Sequence, residues 1–326
     1  MSFHLTLDGG GSKVVSVLYD SDLNVIGSGL GGGTNTTQNP IEVVRANIGK
    51  CLDEAFAGTG VTEIEDVRFV LVGSSNVLIE ELKKRVIVKN ICPMSEPGAG
   101  ILAGNVTTSG ILALAGTGSD VFLIDDDFKE HSGGKRTVVG AWGPILGDQG
   151  SGTWMGLQAL QEFVKSVEGW GEKTMLVDLI REECALQHDF DLVHIVHGDS
   201  SPFRKVASFT RLIGKAARAG DEYSRKLLMQ AGAVMARQTE CLIERFELNG
   251  AEQVVSCCGG AWKADTLMFD TFKKVLTEKY PGITVNKPLF EHLMAGPVKL
   301  LMEQGLEREE IIKRIREHFP QYVIGW

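Results

Sequence analysis

A chain of 326 residues with a net charge of −9 is long for one hydrophobic core and too acidic for a surface that mainly binds nucleic acid or anionic lipid. The length therefore predicts two domains. No apolar stretch approaches the ~20 residues that cross a bilayer, and no basic and apolar leader opens the sequence, so we expect a cytoplasmic protein. The six cysteines lack a CxxC spacing, which is typical of reduced thiols rather than of a zinc site.

The first predicted elements are a strand, a glycine turn and a second strand, in the stretch "LTLDGGGSKVVSVLYD" that starts at Leu5. Apolar and β-branched residues beside the glycines favour strands over helices. A third strand, around 25–26, follows the polar turn "DSDLN". Lys13 lacks the spacing of a Walker A loop. We attribute the G-x-G-x-x-G match that starts at Gly27 to chance, because it does not open a helix.

The rest of the first domain alternates helices and strands up to residue 106. We predict a helix over 41–56, a strand over 69–72, a helix over 78–85 and a short strand over 86–88. The second domain is predicted to cover 107–326, with a long helical insert from 153 to 249. Its last helix, over 307–318, carries charges of both signs, which indicates a solvated helix that could pack back on the first domain.

Two later segments also place glycines directly after a predicted strand. "LALAGTGS" from Leu112 matches "LTLDGGGS", and the strand "VFLID" and the polar turn "DDDFKEH" follow it, so the pattern indicates a duplicated domain. A chance pair of glycine turns is the alternative, since such turns often serve backbone geometry alone. Further on, a strand over 254–258 leads through Gly259 and Gly260 into a helix. That arrangement is typical either of a ligand approaching the backbone or of a plain strand-to-helix turn.

These stretches together resemble a known superfamily. "LDGGGSK", "LALAGTGSD" and "VVSCCGGAWK" are similar to the phosphate-1, phosphate-2 and adenosine motifs of the actin–hexokinase–Hsp70 ATPases. "GAWGPILGDQGSGTWMG" from Gly140 resembles a segment of N-acetylglucosamine kinases and of the BadF/BadG/BcrA/BcrD ATPases. The resemblance implies an α/β fold of two ribonuclease-H-like domains, with the nucleotide in the cleft between them.

The resemblance also implies roles for the glycine turns. Asp8 would hold Mg²⁺ near the β- and γ-phosphates of ATP. Lys13 would add a positive charge there, although a solvated lysine at the start of a strand is an equal alternative. The implied ATP-binding residues are Gly9, Gly10, Gly11, Ser12, Lys13, Gly116, Thr117, Gly118, Ser119, Gly259 and Gly260.

The catalytic base departs from the family pattern. Related sugar kinases use an aspartate at a helix start shortly before the second glycine turn, whereas "ICPMSEPGAGILAG" contains no aspartate. Glu96 is the nearest carboxylate, and Pro97 suits the first turn of the following helix. We therefore predict Glu96 as the base, and a simple first-turn acid beside the positive helix end is the alternative.

Candidate sugar contacts follow by position. An indole face suits the C–H face of a pyranose, and a carboxylate can accept two sugar hydroxyls. Asn35 could instead be a turn residue, and Trp142 could instead belong to the core. The implied substrate-binding residues are Asn35, Gly73, Ser74, Trp142, Gly143 and Asp148.

The sequence therefore predicts a transferase that uses ATP and Mg²⁺ to phosphorylate a small amino sugar such as N-acetylglucosamine. Neither nucleic acid nor a membrane is expected as a partner, and a homodimer is left open. One alternative is a BadF-type ATPase that activates a partner enzyme through a metal cluster shared between subunits, which would need suitably placed cysteines. The other is a non-catalytic sugar sensor, which the missing aspartate keeps open.

Overall fold

The computed structural model describes residues 2–37, 39–124, 136–249 and 252–325. The chain divides into two compact units, the first formed by Met1–Thr108 with Pro288–Gly325 and the second by Ser109–Lys287. The sequence-based division left the C-terminal segment in the second domain. In the structure this segment belongs to the first unit, because its apolar side chains complete a core there. The predicted polar turn "DDDFKEH" lies outside the described residues.

The first unit is built on a five-stranded sheet with the order β3-β2-β1-β4-β5. β1, β2 and β3 form an antiparallel meander, and β4 and β5 run parallel to β1. The strands are β1 (Phe3–Gly9), β2 (Lys13–Asp20), β3 (Val25–Gly32), β4 (Glu63–Leu71) and β5 (Ile87–Pro93). The helices of this part are α1 (Ile41–Phe56), α2 (Ser75–Lys83) and α3 (Glu96–Asn105).

The second unit repeats this topology, with the sheet order β10-β9-β6-β7-β8. Here β6, β7 and β8 form the antiparallel meander, and β9 and β10 run parallel to β6. The strands are β6 (Gly110–Ala115), β7 (Ser119–Ile124), β8 (Val138–Gly140), β9 (Gln253–Cys258) and β10 (Ile283–Asn286). The two glycine turns thus occupy equivalent places. The predicted fold class, α/β with two ribonuclease-H-like domains, is confirmed.

Most helices of the second unit lie between β8 and β9, where the sequence predicts a helical insert. They are α4 (Gly143–Leu146), α5 (Gly152–Val167), α6 (Leu176–Cys184), α7 (Asp191–His197), α8 (Pro202–Ser208), α9 (Thr210–Arg218) and α10 (Glu222–Arg245), and α11 (Thr266–Lys279) follows β9. Asp221 caps α10 by accepting a hydrogen bond from the backbone of Ser224. Within the described part of the chain, no helix is both long and apolar enough to span a bilayer.

The C-terminal segment contributes α12 (Ala295–Glu303) and α13 (Arg308–His318) to the first unit. α13 is the helix predicted over 307–318 as a solvated element that could pack back on the first domain. Its charged face is exposed, but Ile311, Ile312 and Ile315 are buried in the core of the first unit. Helical spacing of these isoleucines explains how one helix is both charged and packed.

The glycine repeat of β3 has a packing function. A Cβ atom on Gly29 would lie 1.8 Å from the carbonyl oxygen of Cys51 in α1, and Gly27 and Gly31 would meet neighbouring carbonyls of the same helix at 2.0 and 2.1 Å. Alternate strand residues face one side of a sheet, so these glycines let α1 lie directly on the strand. The first two glycines of the G-x-G-x-x-G match therefore reflect close packing of a helix on β3.

Candidate active site

The carboxyl ends of β1, β4 and β5 meet at one edge of the first sheet. Asp8 in β1 lies opposite Val70 in β4, and Phe69 lies opposite Pro93 in β5. Because these strands are parallel, the segments that follow them leave the sheet at the same edge. The sequence-predicted residues of the first glycine turn, of the loop after β4 and of the start of α3 therefore share that edge.

A buried threonine holds the first glycine turn in place. Gly10 donates its backbone N–H to the carbonyl of Lys13 at 2.9 Å, which closes the hairpin. The backbone N–H of Thr34 donates to the carbonyl of Gly10 at 2.8 Å, and its hydroxyl lies 3.2 Å from that oxygen and 3.0 Å from the carbonyl of Val72. Thr34 thus links the turn to the strand end beside it.

Asp8 directly precedes the glycines of the first turn. Burial raises its pKa, while the positive charges of His292 and Lys13 act in the opposite direction. His292 was not predicted, because it comes from the C-terminal segment and no motif surrounds it. A desolvated carboxylate beside a glycine turn is costly to keep ionised without a bound cation.

Glu96 is the first residue of α3. The hydroxyl of Ser95 accepts a hydrogen bond from the backbone N–H of Gly98 at 3.2 Å and so caps this helix, and Pro97 lies in its first turn. The side chain of Glu96 is exposed to solvent. The structure thus places a carboxylate without a hydrogen bond or ion pair to any described residue at the helix start where the sequence predicts one, and its role as base stays a prediction.

The two polar sugar-side candidates of the first unit differ in how they are engaged. The side-chain oxygen of Asn35 accepts hydrogen bonds from the backbone and the hydroxyl of Thr37, at 2.9 and 2.8 Å. This supports the turn interpretation of Asn35. Ser74 follows Gly73 and precedes α2, and its hydroxyl makes no capping hydrogen bond. Ser74 is therefore better suited than Asn35 to contact a ligand in this structure.

The second unit brings two of the predicted motifs side by side. Leu114 at the end of β6 lies opposite Cys258 at the end of β9, so the 116–118 turn adjoins Gly259 and Gly260. Gly152 donates its backbone N–H to the carbonyl of Gly116 at 2.8 Å, which fixes the start of α5 against the turn. The phosphate-2 and adenosine segments thus form one continuous backbone surface.

Gly259 cannot carry a side chain in this arrangement. Its φ is +106°, and a Cβ atom would lie 2.3 Å from the carbonyl oxygen of Ala115. We expect Gly259→Ala to lower the free energy of unfolding by about 3 kcal/mol or more, since backbone strain alone costs about 1–3 kcal/mol. Gly58→Ala is the matched control, because Gly58 also has positive φ but open space around it. Urea unfolding should show a clearly smaller loss for Gly58→Ala, and equal losses would contradict the steric argument.

A cavity of about 560 Å³ opens beside this backbone surface in the second unit. Gly116, Gly152 and Gly260 contribute to its wall, and its cationic side chains are Arg204, Arg211 and Lys263. The volume lies in the range of small-molecule sites. The two arginines were not predicted, since they come from α8 and α9 in the helical insert, where no motif marks them.

Asp148 is bound to the second glycine turn. It has a left-handed backbone with φ of +60°, and its side chain is buried. Burial raises the pKa of its carboxyl. Hydrogen bonds that the backbone N–H groups of Ser119 and Gly143 donate to the carboxylate partly offset this rise. A Cβ atom on Gly118 would lie 2.8 Å from this carboxylate. Asp148 therefore packs against the 116–118 turn and stabilises it through these hydrogen bonds. Its contact with a sugar stays a prediction.

Trp142 is exposed over 62% of its surface, so the core interpretation of this residue is wrong. The guanidinium of Arg136 lies 5.1 Å from the indole centre. Ile145 and Leu146, which follow Gly143 in α4, are exposed as well. The segment presents an apolar platform with a cation beside it, a composition suited to the C–H face of a sugar.

Comparisons with known proteins identify the family. Residues 5–293 match the model of the BadF/BadG/BcrA/BcrD ATPase family. An N-acetylmuramic acid/N-acetylglucosamine kinase of Clostridium acetobutylicum is 24% identical, over 87% of this chain and 94% of the relative. An N-acetyl-D-glucosamine kinase of Dictyostelium discoideum is 24% identical, over 86% of this chain and 91% of that relative. A crystal structure of a candidate N-acetylglucosamine kinase from Chromobacterium violaceum shares the fold, with a TM-score of 0.67 and 20% identity. The match covers 92% of this chain and 99% of that structure. The resemblance predicted from the motifs is confirmed, and the chain belongs to the BadF/BadG/BcrA/BcrD ATPase family.

Proposed function

We propose that this chain is an ATP-dependent kinase of amino sugars, with N-acetylglucosamine or a close relative as acceptor. The observation that carries the proposal is the cavity of the second unit, where the backbone of the 116–118 turn, Gly152 and Gly260 meets cationic side chains. Backbone N–H groups and guanidinium groups are the partners that polyphosphates prefer. The curated relatives named as amino-sugar kinases, aligned over most of their length, support the acceptor class.

Asp8 would hold the Mg²⁺ that accompanies ATP. Among the described residues, no three His, Cys, Asp or Glu side chains cluster to bind a metal by themselves. Magnesium in kinases is commonly held by one or two carboxylates together with phosphate oxygens and water, and a half-buried carboxylate with a raised pKa fits that arrangement. When bound, the ion neutralises charge on the transferring phosphoryl group.

Glu96 would accept the proton of the sugar hydroxyl. As the sugar oxygen bonds to the γ-phosphorus, the bond from that phosphorus to the bridging oxygen breaks, ADP leaves and the hydroxyl proton passes to the carboxylate. Its exposed position at the start of α3 leaves both oxygens open to a ligand.

The activator alternative is less well supported. It needs cysteines that can reach a shared cluster, yet Cys257 of the adjacent pair is fully buried in the core of the second unit. Burial also raises the pKa of that thiol, which disfavours the thiolate that binds metals. A cytoplasmic location stays a prediction from the sequence, and the question of a homodimer stays open.

A panel of sugars with Mg·ATP tests the proposal. We expect ADP release to require an amino sugar, to match the sugar phosphate formed, and to stop when EDTA removes the metal. ATP turnover that no sugar alters, together with an iron–sulfur absorbance, would instead support the activator. Sugar binding in calorimetry without any ADP release would support the sensor.

A further inference from the structure

The cavity of the second unit carries an excess of hydrogen-bond donors. Arg211 in α9 is ion-paired with Glu183 of α6, which orients its guanidinium while 58% of the side chain stays exposed. Arg204 in α8 is exposed and, among the described residues, pairs with no carboxylate. Each guanidinium offers five N–H donors and no acceptor. A ligand in this cavity is therefore met by two planar donor groups with unused hydrogen-bonding capacity.

Acceptors in the same cavity are scarce. The lining residues within the described ranges include no Asp, Glu, Asn or Gln side chain, and the hydroxyls of Thr117, Ser208 and Thr210 can either donate or accept, so they fit both purines. The carbonyl of Ala264 already accepts from Arg218 at 2.5 Å, and that of Ala261 accepts from the backbone N–H of Ala264 at 3.1 Å. The hydroxyl of Thr210 donates to the carbonyl of Gly152 at 3.0 Å. The carbonyls of Ala261 and Ala264 are thus already engaged within the protein.

This balance bears on which nucleobase the cavity can select. Adenine presents the N7 acceptor and the N6 amino donor, whereas guanine and hypoxanthine present N7 and the O6 acceptor. Arginine bonds to O6 and N7 together, and it can also stack on either purine. Strong discrimination requires a dedicated polar partner that the wrong ligand leaves unpaired. Selecting adenine would need an acceptor for N6, and rejecting guanine would need a group that repels O6.

We propose that the base subsite of this cavity does not select adenine, so that the chain uses GTP and ITP as phosphoryl donors as well as ATP. The inference rests on the proposed kinase function, because it places the base of the donor in this cavity. Arg204 and Arg211 would contact the purine and donate to N7 and O6. The transfer step is unchanged: the γ-phosphorus bonds to the sugar oxygen, its bond to the bridging oxygen breaks, GDP leaves and the hydroxyl proton goes to the base.

Steady-state kinetics with ATP, GTP, ITP and CTP, each with Mg²⁺ and N-acetylglucosamine, test the inference. We expect kcat/KM for GTP and ITP within about tenfold of the value for ATP, because no carboxylate or carboxamide side chain among the described lining residues can select the N6 amino group. Values for both below about one hundredth of that for ATP would overturn it. If no nucleotide supports transfer, the proposed function fails instead. Calorimetry of ADP against GDP then still decides the inference, which requires comparable affinities and is refuted if only ADP binds.

Two variants locate the contact. Arg204→Ala and Arg211→Ala should each lower kcat/KM for GTP about tenfold, and that for ATP clearly less, since guanine offers both N7 and O6 as acceptors and adenine offers only N7 at this edge. Lys215→Ala is the control, because this exposed residue of α9 lies outside the cavity lining. Equal losses for GTP and ATP would assign the arginines to the phosphates and overturn their role at the base. Arg204→Ala keeps the test valid if Arg211→Ala fails to fold, because Arg204 has no carboxylate partner among the described residues.

Discussion

Replacing Asp8 with alanine is expected to lower kcat for sugar phosphorylation by about 10²–10³-fold, the usual effect of losing one preorganised group that stabilises transition-state charge. The carboxylate ends β1 beside the first glycine turn, and no other carboxyl group was predicted from the sequence to hold the metal. The dependence of the remaining activity on Mg²⁺ concentration should shift to higher values. Asp22→Ala, an exposed acid in the turn after β2, should leave kcat unchanged.

The stability of an Asp8→Asn variant separates a ligand-binding role from a structural one. Burial raises the pKa of Asp8, so the folded state holds its proton to higher pH than the unfolded state does. Stability therefore falls as the pH rises through that interval, and the cost of the ionised form persists at neutral pH. In EDTA at pH 7 the asparagine variant should be at least as stable to heat as the parent. A marked drop in its melting temperature, or near-normal kcat, would remove Asp8 from the proposed metal site.

The sequence predicted the fold correctly where turn residues and the apolar pattern of the flanking segments indicated the same element. The helix predicted over 41–56 has the same bounds as α1, and both glycine turns join the strands that were expected to flank them. The reason is physical: Asp8 and Gly259 lie at strand ends, where a backbone constraint and an apolar alternation occur together. Matching turns in two stretches then predicted the duplication that the two sheet orders show.

The missed residues reach their sites by tertiary packing. His292 is near Asp8 because the hydroxyl of Thr6 donates to the carbonyl of Leu293 at 2.7 Å, a contact between β1 and the C-terminal segment that no local pattern encodes. Arg204 and Arg211 lie in the cavity only because α8 and α9 pack beside the 116–118 turn. Charged residues on surface helices look alike in sequence, whichever of them face a ligand.

Glu96→Gln tests the base, the position where this chain departs from its family pattern. Glutamine keeps the size and hydrogen-bonding reach of the side chain but cannot take the hydroxyl proton. If Glu96 is the base, kcat should fall by about 10²–10⁴-fold, the usual contribution of general-base catalysis, while the KM for the sugar changes much less. Glu42→Gln is the matched control, because Glu42 is likewise an exposed acid in the first turn of a helix. It should leave both constants unchanged.

Glu96→Asp distinguishes the chemistry of the carboxylate from its reach. Aspartate is the residue that related kinases place at this helix start, and it is one methylene shorter. Ser95 caps α3 through its own hydroxyl, so neither substitution removes the cap, and a loss of activity cannot be assigned to an unravelled helix. We expect the aspartate variant to keep measurable activity and the glutamine variant to lose most of it. If the glutamine variant keeps most of its kcat, Glu96 only stabilises the start of α3 as a first-turn acid. The proton must then go to another carboxylate, and Asp148 is the first to test.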